Sequence, residues 1–289
     1  MPPRLGALLA VVLWGVSFVA TKAVVAEISP TTLIFSRAGL GSLLLCAFLA
    51  LRRQPVLPPR DALGPLALMG FVGVAFHQLL QAHALRLTSA VSTGWLIGLI
   101  PVWSALLAAV LLRERFGPRK IAGLVIGFAG AVLVVTRGDF GAGLLTLPST
   151  RGDLLVLAST FNWAVYTVLG HSTIRRLGPA RATAGAMLLG WLMLAPIFLA
   201  TAGWSDYARL SPAGWGALLF LGIAASGLGY LFWYAALEKV ETSRVAALLY
   251  LEPLVTLAAA VVLLGEPVGA VTVVGGLTLM GGVVLVQTA

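Results

Sequence analysis

Ten apolar stretches, separated by short connectors, set the strongest constraint on how this chain can fold. A hydrocarbon core about 30 Å thick needs about 20 apolar residues per helix. Each stretch is close to that length, and the connectors, such as "RRQPVLPPRD" and "RERFGPRK", hold residues that end helices. The sequence therefore predicts ten membrane-spanning helices, at 5–26, 32–51, 63–85, 89–112, 118–136, 152–172, 181–201, 212–237, 243–264 and 268–287.

The composition agrees with this pattern. Of the 289 residues, 60% are hydrophobic and 10% are charged, and the mean hydropathy is +1.01. A soluble domain is about 45–50% apolar and about 25% charged. The predicted fold class is therefore an all-α integral membrane protein. Cys46 is the one cysteine of the chain, so no internal disulfide can form.

The basic residues are distributed unequally between the two sides of the membrane. The formal net charge is +9, but the charges are dispersed in short connectors, which argues against nucleic acid as a partner. The positive-inside rule places both termini in the cytoplasm of a multi-pass protein in the cell (inner or plasma) membrane. Thirteen of the basic residues lie at the amino terminus or in the connectors on the same side of the membrane: Arg4, Arg52, Arg53, Arg60, Arg113, Arg115, Arg119, Lys120, Arg175, Arg176, Arg181, Lys239 and Arg244. On the other side lie Arg86, Arg137, Arg151 and Arg209.

The chain also repeats itself. A shift of 152 residues places Pro101 on Pro253 and Gly123 on Gly275, while a shift of 149 places Trp14 on Trp163. This predicts two repeats, 1–137 and 138–289, with five spans each. Because five is odd, the halves must cross the membrane in opposite senses, around a central cavity. Inverted repeats are typical of secondary transporters with a midplane site, and a duplicated scaffold without transport is the alternative.

Several segments carry a family resemblance: "LWGVSFVATKAV", "SPTTLIFSRAGL", "LIPVWSALLAAVLLRER" and "YLEPLVTLAAAVVLLGE". Together with the glycine-patterned fifth and tenth spans, they resemble the EamA-domain branch of the drug/metabolite transporter (DMT) superfamily. The aromatic content resembles YddG-type aromatic amino-acid exporters. The resemblance implies a ten-helix exporter, a cavity lined by spans 1, 3, 4, 6, 8 and 9, and efflux of amino acids and related metabolites. His77 and two glutamines in span 3 depart from a generic member.

Glu252 is the one mid-span glutamate, whereas the four aspartates, Asp61, Asp139, Asp153 and Asp206, are assigned to connectors. A charge at the bilayer centre costs about 2.5–3.5 kcal/mol on insertion scales, so such a group is a functional candidate. Three interpretations stay open for Glu252: a hydrogen bond that locks neighbouring helices, contact with a substrate amine, and proton coupling.

The two equivalent prolines, Pro101 and Pro253, are expected to kink their spans. Proline lacks an N–H, so the carbonyls of Ile97 and Leu249 lose their helical partners. Freed carbonyls at membrane depth must be satisfied by protein, water or ligand. The kinks are therefore expected to supply ligand acceptors, to act as bending points, or to be merely tolerated.

Polar and aromatic residues of spans 3 and 8 fall at equivalent positions, because the shift of 152 places Gln78 on Tyr230 and Gln81 on Trp233. Amides suit the polar head of an amphipathic substrate, and rings suit its apolar tail. For His77 a hydrogen bond between helices is the alternative. The predicted cavity residues are Trp14, Ser17, His77, Gln78, Gln81, Trp95, Asn162, Trp163, Tyr166, Tyr230, Trp233, Tyr234, Tyr250 and Glu252.

Two cations, Lys22 and Arg37, fall toward the outer ends of spans 1 and 2. We expect them to extend to the interface, or to form an outer gate or contact a substrate carboxylate. The glycines of spans 5 and 10, such as Gly123, Gly130 and Gly282, indicate close helix packing or dimerisation, so the chain is expected to be a monomer or weak homodimer.

The sequence predicts an exporter of small amphipathic molecules, most of all neutral or aromatic amino acids, by alternating access. Nucleosides, sugars, cations or drugs are the alternative cargo. An enzyme is not expected, since the sequence has no H-E-x-x-H, G-x-S-x-G or P-loop. No catalytic residue, cofactor or metal is therefore assigned. An intramembrane sensor is the alternative of a different class.

Overall fold

A computed structural model describes residues 2–112, 117–141, 148–237, 239 and 248–288. Within these ranges it is all-helical, with nine helices long and apolar enough to cross a membrane and a shorter apolar tenth. The prediction of an all-α membrane protein is confirmed. The helices are α1 Pro3–Glu27, α2 Pro30–Leu51, α3 Arg60–Leu87, α4 Ala90–Ile97 with Ile100–Leu112, α5 Pro118–Thr136, α6 Pro148–Leu177, α7 Pro179–Ala200, α8 Pro212–Ala236, α9 Leu248–Leu264 and α10 Ala270–Gln287.

Helix ends follow local chemistry. Proline opens α1, α2, α5, α7 and α8 in the first turn, where its missing N–H has no helical partner to lose. Ser29 and Ser211 cap α2 and α8, each hydroxyl accepting from the backbone N–H three residues ahead. The predicted spans therefore agree with the observed helices to within a few residues, and α6 extends furthest beyond its prediction.

The two halves are interlocked. The first helix of each half packs against the third and fourth helices of the other: α1 against α8 and α9, and α6 against α3 and α4. The fifth helices, α5 and α10, pack directly on each other. This reciprocal packing of the two halves agrees with the inverted two-repeat arrangement that the sequence predicts.

Glycine makes the α5–α10 contact possible. A Cβ on Gly130 would lie 2.3 Å from the Leu279 backbone nitrogen, and one on Gly282 would lie 2.2 Å from the Gly127 nitrogen. The glycine pattern is thus used for packing within the chain, as in other close membrane-helix pairs.

The third helix of each half contains a π-helical segment, Gly70–Phe76 in α3 and Phe220–Leu228 in α8. The first helix of the other half donates to each. Asn162 Nδ2 lies 2.8 Å from the Val72 carbonyl, and Trp14 Nε1 lies 3.0 Å from the Ala225 carbonyl. Local π geometry leaves backbone groups that neighbouring side chains can satisfy. Both halves thus have a π-helical segment that accepts a hydrogen bond from the first helix of the other half.

The prolines occupy a different place from the one expected. Pro101 is the second residue of the segment that restarts α4 after a break at Gly98–Leu99. Pro253 is the second residue of the α-helical segment Glu252–Leu264, which follows a 3-10 turn at Leu248–Leu251. Each proline therefore sits where a helical segment begins, so it does not remove a hydrogen bond from the middle of a continuous helix.

Candidate functional site: a cavity between the two halves

A cavity lies between α2, α3, α6, α7 and α8, with about 410 Å³ of empty space, part of it open to solvent. Of these helices α3, α6 and α8 were expected, whereas α2 and α7 were not. Helices α1, α4 and α9, which the resemblance implied as cavity helices, contribute none of the lining residues of this cavity. Its polar and aromatic lining residues are Arg37, Gln78, Trp163, Tyr166, Thr183, Ser226 and Tyr230.

Helices α1, α4 and α9 pack closely on one another. The Thr256 hydroxyl of α9 donates to the Gly15 carbonyl of α1 at 3.0 Å. A Cβ on Gly94 of α4 would lie 2.8 Å from the Thr256 Cβ, and one on Gly15 would lie 2.7 Å from a Val255 methyl. These three helices are thus in close contact through small residues and backbone atoms.

The rings at the cavity wall pack against one another in tilted pairs. Tyr166 lies against Gly73, whose Cβ would be 2.4 Å from the Tyr166 ring. The centroids of Trp163 and Tyr166 are 4.9 Å apart, and those of His77 and Trp163 are 4.8 Å apart. Gln78 of α3 also lines this wall. The pairing of a span-3 amide with aromatic rings is therefore present, and span 6 supplies two of the rings.

A second aromatic group surrounds Tyr230 on α8. Its ring lies 5.3 Å from Trp14 and 6.0 Å from Tyr234, and Trp14 also lies 5.2 Å from Trp233. The Tyr234 hydroxyl is hydrogen-bonded to Thr183 of α7. Trp14, Trp233 and Tyr234 do not line the cavity but pack behind the ring that does.

Several predicted cavity residues have other neighbours. Trp95 is 1% exposed and packs on Gly276 of α10, where a Cβ would meet the ring at 2.1 Å. The Ser17 hydroxyl donates to the Trp14 carbonyl within α1, and Asn162 binds the α3 backbone. The Tyr250 hydroxyl is buried without a partner among the described residues. Packing between halves, which a single-helix pattern does not contain, directs Trp95 and Asn162 away from the cavity.

The two predicted polar residues that flank Gln78 are buried rather than cavity-lining. His77 is 4% exposed, and its Nδ1–H donates to the Ser159 carbonyl at 3.1 Å. This leaves Nε2 as the acceptor of a neutral ring. Gln81 is 8% exposed. The alternative given for His77, a hydrogen bond between helices, is what the structure shows.

Arg37 does not extend to the membrane–water interface. Its side chain is buried inside the bundle, lines the cavity, and donates from Nε to the Ser226 Oγ at 2.8 Å. The expectation that it extends to the membrane surface is wrong, because α8 supplies a hydroxyl at its depth. Among the described residues no carboxylate lies within ion-pair distance of Arg37.

Glu252 has no hydrogen-bond or ion-pair partner for its carboxylate in the part of the chain that the structure describes. The side chain is partly exposed within the bundle, and its backbone carbonyl lies against Gly15 of α1. The structure therefore does not show the helix-locking hydrogen bond that was one of its three interpretations.

Lys22, the other predicted gate residue, lies at the end of the bundle opposite the termini, here called the opposite face. Its ammonium donates to the carbonyls of Leu85 and Thr88 at the end of α3. It also lies 3.9 Å from the Glu266 carboxylate. This side chain thus connects the first half to the connector between α9 and α10.

Carboxylates accept hydrogen bonds at the N-terminal ends of three helices at the opposite face. Glu266 accepts from the backbone N–H groups of Ala90 and Val91, at 3.0 and 3.1 Å. Glu27 accepts from the Ser211 backbone N–H at 2.7 Å, and Asp206 accepts from that of Ser29 at 3.1 Å. Each carboxylate belongs to the other half from the helix it contacts. A negative charge at a helix N-terminus stabilises it, so these contacts tie the halves together.

Asp153 completes this network, and its assignment to a connector was wrong. It lies inside α6, is 0% exposed, and accepts from the Thr88 hydroxyl and from Arg137 at 2.9 Å. Proline 148 starts α6 four residues earlier than the apolar pattern indicates. Arg137 and Asp153 carry opposite charges and lie at the two ends of a single predicted connector, that between the fifth and sixth spans, which was the sequence signal for this pair.

At the end of the bundle that holds the termini, here called the termini face, the described polar contacts between halves are exposed ones, such as Arg176 with Asp61 at 2.8 Å and Arg119 with Thr288 at 3.2 Å. Glu114 and the basic residues Arg113, Arg115 and Arg244 lie outside the described residues. The described polar contacts between halves are thus more deeply buried at the opposite face than at the termini face, whereas apolar residues such as Ala62 and Ala182 are fully buried between the halves near the termini face.

Two inverted five-helix halves around a polar and aromatic cavity define a membrane protein of the secondary-transporter class. The chain belongs to the EamA-like transporter family, whose model matches residues 2–136 and again residues 150–288. The family assignment from the sequence is confirmed.

Individual relatives agree with the family. An uncharacterized transporter of Archaeoglobus fulgidus is 34% identical over 86% of this chain and 84% of that protein. A probable terminal-alkyne amino-acid exporter of Streptantibioticus cattleyicolor is 29% identical over 89% of this chain and 84% of that protein. A solved crystal structure with 22% identity covers 99% of this chain and 96% of that chain with a TM-score of 0.66, which supports the fold.

Proposed function

We propose that this protein exports neutral amphipathic amino acids, with aromatic ones preferred. The observation that carries the proposal is the cavity between the halves, where Arg37 and Gln78 face the rings of Trp163, Tyr166 and Tyr230. Polar groups of this kind orient a substrate head, and rings pack its apolar tail. The amino-acid exporter among the relatives supports the same cargo class.

Proteoliposomes test the cargo directly. Vesicles that contain the purified protein and are preloaded with unlabelled phenylalanine should accumulate labelled phenylalanine or tryptophan by exchange, whereas protein-free vesicles should not. Excess uridine, glucose or tetraethylammonium should leave this exchange unchanged. Exchange of uridine or glucose with no movement of any amino acid would show that the cargo assignment is wrong.

We further propose alternating access in the cell membrane with the termini in the cytoplasm. The excess of Lys and Arg on the termini side supports this orientation, and the buried network at the opposite face supports a conformation closed to the outside. Separation of the halves at that face would then open the cavity outward. A carboxyl-terminal epitope tag should become accessible to antibody only in permeabilised cells, and access in intact cells would reverse the orientation.

A further inference from the structure

Arg37 is a charged side chain inside the bundle without a described counter-ion. It is 8% exposed, and its Nε donates to the neutral hydroxyl of Ser226 at 2.8 Å. No described carboxylate lies within ion-pair distance of it. A buried ionised group is costly when no opposite charge compensates it, and inside a membrane such a group marks a candidate functional site. A bound anion would supply the compensating charge.

Four of the five N–H groups of this guanidinium are free for such an anion. A guanidinium carries five donors in a planar fork, and Nε uses one of them on Ser226. Neither Nη atom has an acceptor among the described residues, and neither belongs to the fully enclosed, unpartnered atoms of that part of the chain. Because Arg37 lines the cavity, its open donors face that space. Two parallel N–H donors match the two oxygens of a carboxylate.

Close packing of α2 on α8 holds the guanidinium in place. Gly41 lies one turn after Arg37 on the same face of α2. A Cβ on Gly41 would lie 2.9 Å from the Ser226 Cβ and 2.7 Å from the Met187 sulfur. This approach brings Arg37 within hydrogen-bond distance of Ser226. The donors are thus positioned before any ligand arrives, which lowers the entropy cost of binding one.

The described lining of the cavity carries one sign of charge. Arg37 is its one ionised side chain, and it includes no carboxylate. The other polar side chains, such as Gln78 and Thr183, are neutral. A cation beside aromatic rings is complementary to an anion with an apolar tail and repels other cations. An ammonium in this cavity meets neutral acceptors, with no negative charge in the described lining.

We propose that Arg37 is the anion-binding group of the cavity, so that the protein selects its substrate by a carboxylate and not by an ammonium. The proposal rests on the proposed function and narrows it to carboxylates with an apolar or aromatic tail, of which neutral amino acids are one kind. Ser226 acts through Arg37 as a positioning residue. Amines and quaternary cations are excluded as cargo.

Three probes with the same ring separate the two charges of an amino acid. Phenylalanine carries both, 3-phenylpropionate lacks the ammonium, and phenethylamine lacks the carboxylate. Isothermal titration calorimetry on the full-length protein in detergent measures their dissociation constants without requiring transport. The unaltered protein should bind 3-phenylpropionate within about tenfold of phenylalanine. It should bind phenethylamine about tenfold or more weakly than 3-phenylpropionate, as expected for one missing charge-assisted pair.

Variants then assign this preference to Arg37. Arg37→Gln should weaken phenylalanine and 3-phenylpropionate about tenfold or more, and leave phenethylamine unchanged or bound more tightly. Arg37→Lys should recover part of the loss, because it restores the charge but not the fork. Ser226→Ala should weaken the same two probes by a smaller factor and spare phenethylamine. Arg86→Gln, the same change at an exposed arginine outside the cavity, should leave all three affinities unchanged.

A melting curve for each variant separates lost binding from lost folding. If Arg37→Gln does not fold, the three probes on the unaltered protein still decide. Phenethylamine bound as tightly as 3-phenylpropionate would overturn the anion site. So would a folded Arg37→Gln protein that binds phenylalanine within about twofold of the unaltered protein, or one that loses all three probes equally.

Vesicle exchange distinguishes failure of this proposal from failure of the proposed function. In each of the three overturning cases, vesicles that still exchange phenylalanine leave the proposed function standing. Conversely, 3-phenylpropionate binding that depends on Arg37, in a protein that exchanges no amino acid, retains the anion site and removes the amino-acid cargo. An unaltered protein that binds none of the three probes and exchanges no amino acid removes both proposals.

Discussion

At the scale of single residues, Gly73 sets the position of the cavity wall. A Cβ there would lie 2.4 Å from the Tyr166 ring, closer than atoms can approach. Gly73→Ala should therefore displace the ring into the cavity and lower phenylalanine exchange about tenfold, since small misplacements of binding groups have large effects. Gly64→Ala, in the same helix with nothing within 4 Å, should exchange normally. Equal activity of the two variants would contradict this role for Gly73.

Asp206 makes the stability depend on pH at the opposite face. Burial raises the pKa of its carboxyl, but hydrogen bonds from Ser29 and Thr32 outweigh this effect, so the pKa lies below its ordinary value. The ionised form is thus favoured in the folded protein. Its contribution is complete above the unfolded pKa of about 3.9 and is lost as the pH falls through the folded pKa.

The substitution Asp206→Asn tests this dependence. It removes the charge-assisted bonds and should lower the unfolding free energy by about 1–2 kcal/mol at pH 7. The difference in melting temperature between the variant and the unaltered protein should shrink as the pH falls from 6 to 3. A difference that is constant over this range would show that the carboxylate charge is not the source of the stability.

At the scale of helices, the α5–α10 contact has a matched pair of tests in adjacent glycines. A Cβ on Gly282 would lie 2.2 Å from the Gly127 nitrogen, whereas Gly281 has nothing within 4 Å. Gly282→Ala should separate two backbones and cost about 1–3 kcal/mol. Gly281→Ala should be neutral or stabilising, since alanine is the better helix former by about 1 kcal/mol. Melting temperatures of the two variants, measured in the same detergent, test this difference. Similar melting temperatures for Gly282→Ala and Gly281→Ala would contradict the close packing of α5 on α10.

The helices themselves were largely predictable from sequence. The bounds of α5 were predicted correctly at both ends, because Pro118 opens it and Arg137 closes it in a left-handed conformation. Helix α6 was predicted too short. A run of apolar residues marks the part of a helix that crosses the hydrocarbon core, and the polar helical turns that extend beyond the core are missed. The breaks before Pro101 and Pro253 lie beside the two prolines at which the sequence predicts kinks, although each proline opens a new helical segment and does not bend a continuous one.

The cavity was predictable only in part. Gln78, Trp163, Tyr166 and Tyr230 carry a visible pattern, and the structure places all four in the lining. Arg37 was misplaced because its partner, Ser226, comes from the other half. Which face of a helix meets a cavity depends on the helices beside it, and the sequence pattern of one helix does not contain that information.

At the scale of the whole molecule, Glu266 tests whether the opposite face acts as one unit. Glu266→Gln weakens the contacts to Lys22 and to the start of α4. If the halves separate together there, hydrogen exchange should increase about tenfold at Ala90 and Val91 and also near Ser29 and Ser211. Hydrogen exchange by mass spectrometry on the purified protein measures each segment.

The matched control is Asp139→Asn, an exposed acid whose described hydrogen bond is to Gly141 within its own turn. This variant should leave exchange unchanged across the face. An increase confined to α4 in the Glu266→Gln protein would mean that Glu266 caps one helix and does not couple the halves.

The interlocked pairing of α1 also has a consequence for synthesis. Its partners are far along the chain, 211 residues from Trp14 to Ala225 and 241 residues from Gly15 to Thr256. At about 5–20 residues per second, α1 resides in lipid for about 10–50 s before they emerge from the ribosome. During that interval the Ser17 hydroxyl can donate a hydrogen bond to the Trp14 carbonyl of its own helix, whereas the Lys22 ammonium has its acceptors only after α3 has been made. The first helix made is thus among the last to acquire its final neighbours.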